Sequence, residues 1–162
     1  MRREVTIMHH PVDDRPNGVP PIEGFRKTMR LNRRMISAVM STLLVLFLCL
    51  LPRAWMGPED NIHLIPHADK LVHFGMFFLF AFLWARAAEP GNAFKARLLL
   101  IAAAVVFLAI ATEWAQGLPI VDRDPDRFDA LADTIGGFVG LVLESAARAI
   151  QQQRQAFQVA ER

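Results

Sequence analysis

Apolar residues in this chain come in blocks rather than at the spacing of a soluble core. Met35–Leu51 runs seventeen residues without a charge. A second apolar run, Leu71–Ala85, is closed by Arg86, and a third, Leu98–Thr112, is closed by Glu113. A last one extends from about Ala130 to Val142. Blocks of this length, separated by polar stretches with Pro and Gly, are the pattern of membrane-spanning helices. At the rise of an α-helix Met35–Leu51 reaches about 25 Å, enough to cross once Pro52 and Arg53 extend its end. The pattern therefore predicts an all-α polytopic membrane protein. Its four transmembrane helices fall at about 35–53, 71–88, 96–116 and 130–148, within one membrane domain over 35–150. The fourth is the least apolar, since Asp133 enters it early and Glu144 and Arg148 close it.

The flanks read differently. Residues 1–34 are polar, hold Pro11, Pro16, Pro20 and Pro21, and are predicted to be a disordered basic tail. Met29 and Met35 are alternative starts within or just after it. A basic stretch before an apolar run also describes a signal peptide. The long preceding region and the lack of an A-x-A-like site favour an uncleaved first helix. Residues 151–162 read as a polar C-terminal tail.

Charge sets the orientation. Arg26, Lys27, Arg30, Arg33 and Arg34 crowd the N-terminal flank. Arg86, Lys95 and Arg97 lie in the second loop, and Arg148 and Arg154 in the C-terminal flank. The first and third loops hold only Arg53 with Lys70, and Arg123 with Arg127. Basic residues stay on the cytoplasmic side, so both termini are predicted cytoplasmic and the first and third loops outside.

Composition adds little to this. Of 162 residues 53% are hydrophobic, the formal net charge is +2, and the mean hydropathy is +0.26. The single cysteine, Cys49, lies in an apolar block, so no disulfide forms within the chain. No Zn-type Cys/His spacing is present. No metal, cofactor or nucleic-acid partner is expected, and the oligomeric state is left open.

The candidate chemistry collects at one leaflet. Asp69 and His73, four apart, share a face at the outer start of the second helix. Glu113 and Gln116 share a face at the outer end of the third. Asp129, Asp133, Gly136 and Gly140 share a face of the fourth, at spacings of four, three and four. Charged groups at a helix centre cost about 2.5–3.5 kcal/mol, so side chains within or flush with apolar runs point inward or to the interface. His73, Glu113, Gln116 and Asp133 are the leading site residues; a polar network serving packing alone is the competing account. Asp122, Asp124, Asp126 and Lys70 read as interface markers. Asp122, Asp124 and Asp126 mimic the opening of an EF-hand loop, but Arg127 stands where glycine is required. A proton shared among Glu113, His73 and Asp133 would ease the crowding of acids. Ala132, Gly136 and Gly140 form a small-xxx-small stripe, read as a close contact between helices. The first helix, nearly without polar residues, reads as an anchor.

Two segments resemble a known family. The stretch DKLVHFGMFFLF resembles the D-K-x-x-H-F segment of VanZ-like membrane proteins. The stretch TEWAQGLPIVDRDPDRFDALADTIGGFVG is similar to their E-x-x-Q … R-D-P … D-x-x-x-N-x-x-G-x-x-x-G segment. The likeness covers roughly 69–140. It places Asp69, Lys70, His73, Glu113, Gln116, Arg123, Asp129 and Asp133 on the family's characteristic positions. Asp133 stands where the family commonly has Asn, so a role resting on a neutral amide is in doubt there. The resemblance implies an integral protein of the bacterial cytoplasmic (inner) membrane, of undefined activity and linked to glycopeptide (teicoplanin) resistance. The expected partners are membrane lipids and an envelope precursor or glycopeptide-related ligand.

The expected function is thus an outward-facing polar site that binds a cell-envelope lipid or precursor, with Arg123 holding an anionic head group. One alternative is an intramembrane acid/base enzyme with Glu113 or His73 as the catalytic group. The absence of an evident nucleophile or phosphate loop tells against it. The other alternative is a structural or interaction protein of a membrane complex.

Overall fold

The computed structural model describes residues 22–55 and 68–161. Four α-helices follow in order: α1 (Ile22–Cys49), α2 (Ala68–Ala87), α3 (Phe94–Gln116) and α4 (Arg127–Ala160), with a short 3-10 turn at Arg53–Trp55. No strand occurs among the described residues. Helices α2, α3 and α4 are each long and apolar enough to cross a membrane, the pattern of a multi-pass membrane protein. Their outward faces carry large apolar side chains such as Leu99, Phe107, Trp114 and Val142. Helices apolar on all sides belong in lipid, where the outer face has no water to meet.

Two boundaries differ from the sequence expectation. The helix predicted to begin at 35 begins at Ile22, so 22–34 are not an unstructured tail. Between Pro21 and Pro52 there is no proline and a single glycine, Gly24, near the start, and Glu, Arg, Lys, Met and Leu in that stretch form helices well. The rest of the predicted tail, 1–21, lies outside the described residues. At the other end, α4 runs on to Ala160, through most of the predicted polar tail. No Gly or Pro follows Gly140, and the Ala, Gln and Arg beyond it sustain an exposed helix.

Helix α2 is central and packs on each of the other three, most extensively on α4; among the described residues α1 and α4 do not meet. The core joins Val45 and Cys49 of α1, Phe77, Phe80, Ala81 and Ala85 of α2, Val105 and Ala109 of α3, and Leu141 of α4. Glycines allow the α2–α4 approach. A Cβ on Gly136 would collide with the Phe74 backbone, and one on Gly140 with the Phe78 carbonyl. Ala132, the third member of that stripe, is half-buried. Gly137 turns the other way, towards the Val105 side chain of α3. One stretch of α4 thus accepts α2 on one side and α3 on the other. Along α2, Phe74, Phe78 and Phe82 stack in a row, with ring centroids 6.4 and 5.9 Å apart.

The first helix does more than anchor. Thr42 Oγ1 accepts from Trp84 Nε1 of α2 at 2.9 Å. Its last carbonyls also serve α3 and the loop that follows, as described below.

Candidate functional site

Asp126 starts α4. Its extended backbone (φ −120°, ψ 112°) and its side chain, which accepts from Phe128 N–H at 2.9 Å, make it the N-cap. Capping fixes the first turn of α4, and this sets Asp129 and Asp133 on the face turned to α2. Asp129 and Asp133 are both buried, the latter completely.

From α2, Lys70 reaches across to this turn. Its Nζ donates to Asp126 Oδ2 at 2.6 Å, to Asp129 Oδ1 at 2.9 Å and to Asp69 Oδ2 at 3.2 Å. One ammonium has three donors, and all three are used. The Lys70 ammonium, helped by the Phe128 N–H, holds the Asp126 carboxyl below the usual carboxylate range. One turn deeper, His73 Nδ1 lies 3.0 Å from Asp133 Oδ1. With Asp133 ionised, its carboxylate only accepts, and Nδ1 then carries the proton of this bond. The other nitrogen, Nε2, faces Asp129 Oδ2 at 3.9 Å, beyond hydrogen-bond reach.

From α3, Glu113 completes the group. Its Oε2 accepts from the Asp126 backbone N–H at 2.8 Å, while its buried Oε1 has no partner. The Asp133 Oδ2 is likewise buried without a partner. Buried carboxylate oxygens without partners are costly, so two in one cluster mark a place built to meet something else.

Sequence reasoning singled out Asp69, Lys70, His73, Glu113, Asp129 and Asp133, and the fold brings all six to one end of the α2–α3–α4 bundle. Gln116 and Arg123 go elsewhere. Gln116 Nε2 donates to the Cys49 carbonyl at 3.1 Å. Arg123 Nη1 lies 3.4 Å from both the Leu48 and Cys49 carbonyls. Both residues satisfy the open carbonyls at the C-terminal end of α1. The loop between them is closed on itself: Arg123 N–H donates to the Gln116 carbonyl at 3.1 Å, and Arg53 N–H to Val121 at 3.0 Å. Asp122 takes a left-handed conformation in this loop (φ 53°). Asp126, read from sequence as an interface marker, is the residue that ties Lys70, Glu113 and the start of α4 together.

A groove opens between the end of α3 and the start of α4. It encloses about 610 Å³ and is walled by Ile110, Trp114, Leu118, Pro125 and Ala130, with Glu113 and Arg127 among its lining. The groove touches the polar cluster at Glu113.

No family model, curated protein or solved structure matches the chain.

Proposed function

We propose that the protein binds an amphipathic lipid or lipid-linked precursor of the cell envelope. The chain of the ligand lies in the α3–α4 groove and its head meets the cluster of His73, Glu113 and Asp129. The observation that carries this reading is the groove itself, apolar along its walls and bordered by Glu113, a buried carboxylate with an oxygen unused by the protein. Ligand sites combine mostly apolar walls with a few convergent polar groups, and this groove has that make-up. Arg127, in the same lining, offers a cation to an anionic part of the ligand. Arg123, expected from sequence in that role, is engaged with the α1 carbonyls.

In this reading α1 is a fourth span, carried by its apolar stretch from Met35 to Cys49. Both termini are cytoplasmic and the cluster lies at the outer leaflet of a bacterial cytoplasmic membrane, as the Lys/Arg distribution suggests. Kinship with VanZ-like proteins, and through it a link to glycopeptide resistance, belongs to the same proposal and rests on the two motif segments.

A second reading is favoured by one observation. The Asp133–His73 pair in the same cluster as the unpartnered Glu113 oxygen resembles an oriented base next to an acid, and in this second reading the bound lipid is a substrate that is turned over. Native mass spectrometry of the protein released from its own membrane tests both. Binding predicts a co-purifying lipid mass that disappears in Ala130→Trp, which fills the groove. Turnover predicts that Glu113→Gln keeps the lipid and accumulates it unconverted. Equal lipid in wild type and Ala130→Trp would overturn the reading.

A further inference from the structure

Among the described residues, two groups of side chains bring potential metal-ligand atoms within 4.8 Å of one another. Asp69, Asp126 and Asp129 converge near the surface, and His73, Glu113 and Asp129 converge in the interior. The first group is already served by a cation, since the Lys70 ammonium sits among its three carboxylates. In the second, Lys70 reaches only Asp129, through Oδ1, and no Lys or Arg ion pair is seen at Glu113 or His73 among the described residues. One ligand atom from each of His73, Glu113 and Asp129 lies within 4.8 Å of the other two. All three residues are buried, and Glu113 presents an oxygen with no hydrogen bond.

The orientation of His73 points the same way. Nδ1 lies 3.0 Å from Asp133 Oδ1, and with that carboxylate ionised Nδ1 donates to it and the lone pair is left on Nε2, the nitrogen turned to Asp129 Oδ2 at 3.9 Å. Metal-ligating histidines are held in this manner, with the distal ring N–H given to a carboxylate that fixes tautomer and ring plane. Asp129 divides its oxygens similarly. Oδ1 accepts from Lys70 at 2.9 Å, and Oδ2 faces the imidazole. Ligand atoms that share an ion at about 2.1 Å lie roughly 3.0–3.5 Å apart. A small inward movement of side chains therefore closes the set.

We propose that His73, Glu113 and Asp129 bind one divalent transition-metal ion of the zinc class, with Asp133 positioning His73. One imidazole with two carboxylates suits zinc or manganese better than calcium or magnesium, which prefer oxygen alone. The ion gives Glu113 Oε1 a partner and offsets the charge of two buried carboxylates. The ion occupies the same three side chains that meet the lipid head in the lipid-binding reading, so it deepens that reading by naming what the head would meet, while its own evidence is the ligand geometry and not the groove.

The test uses the full chain in detergent, stripped with a chelator and titrated with Zn²⁺ in the absence of added lipid. Competition with a chromophoric chelator reads the affinity. Thermal unfolding of each metal-free variant confirms that it is folded. The isosteric Glu113→Gln and the change His73→Ala are expected to weaken the tightest Zn²⁺ site more than tenfold. Asp133→Asn should weaken it about 10–100-fold. Asp124→Asn, on an exposed acid of the loop, should leave it within twofold. Mn²⁺ should bind more weakly than Zn²⁺, and Mg²⁺ more weakly again.

Equal Zn²⁺ affinity in wild type and folded Glu113→Gln would overturn the proposal. So would Mg²⁺ or Ca²⁺ binding as tightly as Zn²⁺, since that pattern leaves no role for the imidazole. An infrared carboxylic-acid band lost in Glu113→Gln, and unchanged by Zn²⁺ in wild type, would show a proton where the ion is expected. Because no lipid is added, failure here leaves the lipid-binding reading standing, and loss of lipid in Ala130→Trp leaves this one standing.

Discussion

The α2–α4 pair has a buried acid at each end, and the two ends treat it differently. At the end where α2 stops, Glu144 of α4 is answered by Arg148 one turn on, Nε to Oε1 at 3.1 Å. The same guanidinium donates to the carbonyls of Ala85, Arg86 and Ala88 at 2.7, 2.9 and 2.9 Å, and it lies over the Phe94 ring at 4.9 Å. It caps α2 and neutralises Glu144 at once. At the opposite end Lys70 and His73 meet Asp126, Asp129 and Asp133, but Glu113 Oε1 and Asp133 Oδ2 are left over. The first end is complete within the protein and explained by folding. The second has unused acceptors beside a groove, and folding alone does not account for it.

The seam between the ends is the common support, so breaking it has the largest effect. Gly136→Leu places a side chain against the Phe74 backbone, which cannot move aside as a flexible side chain would. Overpacking of a tight contact typically costs 1–3 kcal/mol. With backbone as the obstacle we expect about 3 kcal/mol or more, read as a drop in folded membrane protein and in thermal stability in detergent. Wild-type levels with wild-type melting would refute the contact and the comparison built on it.

The two ends should then answer charge removal with opposite signs. Arg148→Ala strips three carbonyls and Glu144 of their donor, and hydrogen bonds to charged groups are worth about 1.5–3 kcal/mol. We expect a loss of about 2–3 kcal/mol, with part recovered when Glu144→Gln is added, since no lone carboxylate then remains. Glu113→Gln in the metal-free protein should do the reverse. A neutral amide removes the burden of a buried carboxylate with one oxygen unserved, and site residues are often held at such a cost. A gain of about 0.5–1 kcal/mol is expected. A clear loss of stability in metal-free Glu113→Gln would make both ends structural.

The sequence showed the three apolar helices because lipid-facing helices need long uncharged runs, and the stripe of Asp129, Asp133, Gly136 and Gly140 because helical spacing makes it visible. What it hid was long-range or made by the backbone. Asp126 looked like an interface residue and Lys70 stood out only through the family resemblance, since nothing near either one announces a partner on another helix. Gln116 and Arg123 looked like site residues, because the carbonyls of Leu48 and Cys49 that receive them have no signature in side-chain pattern. Gly137 escaped notice behind Gly136, its stripe-mate at the helical spacing being on a different face. The continuation of α4 beyond 150 was missed because polar residues were read as tail, although their helix propensity was intact.

The smallest effect concerns the rim of the unfinished end and uses pH. Lys70 and the Phe128 N–H hold the Asp126 carboxyl below its ordinary range. The unfolded chain titrates this group near ~3.9, and the folded chain only at lower pH. Its stabilising contribution is therefore fully present above the unfolded value and is lost as pH falls through the folded one. Asp126→Asn should flatten that acid limb of the stability curve while leaving the neutral-pH curve nearly parallel to wild type. Because Asp126 is at the surface, the change should be smaller than either buried-charge effect and should shrink further with added salt. An unchanged acid limb in Asp126→Asn would mean that Lys70 gains its hold through Asp129 and Asp69, and the rim would then depend on the interior cluster instead of shielding it.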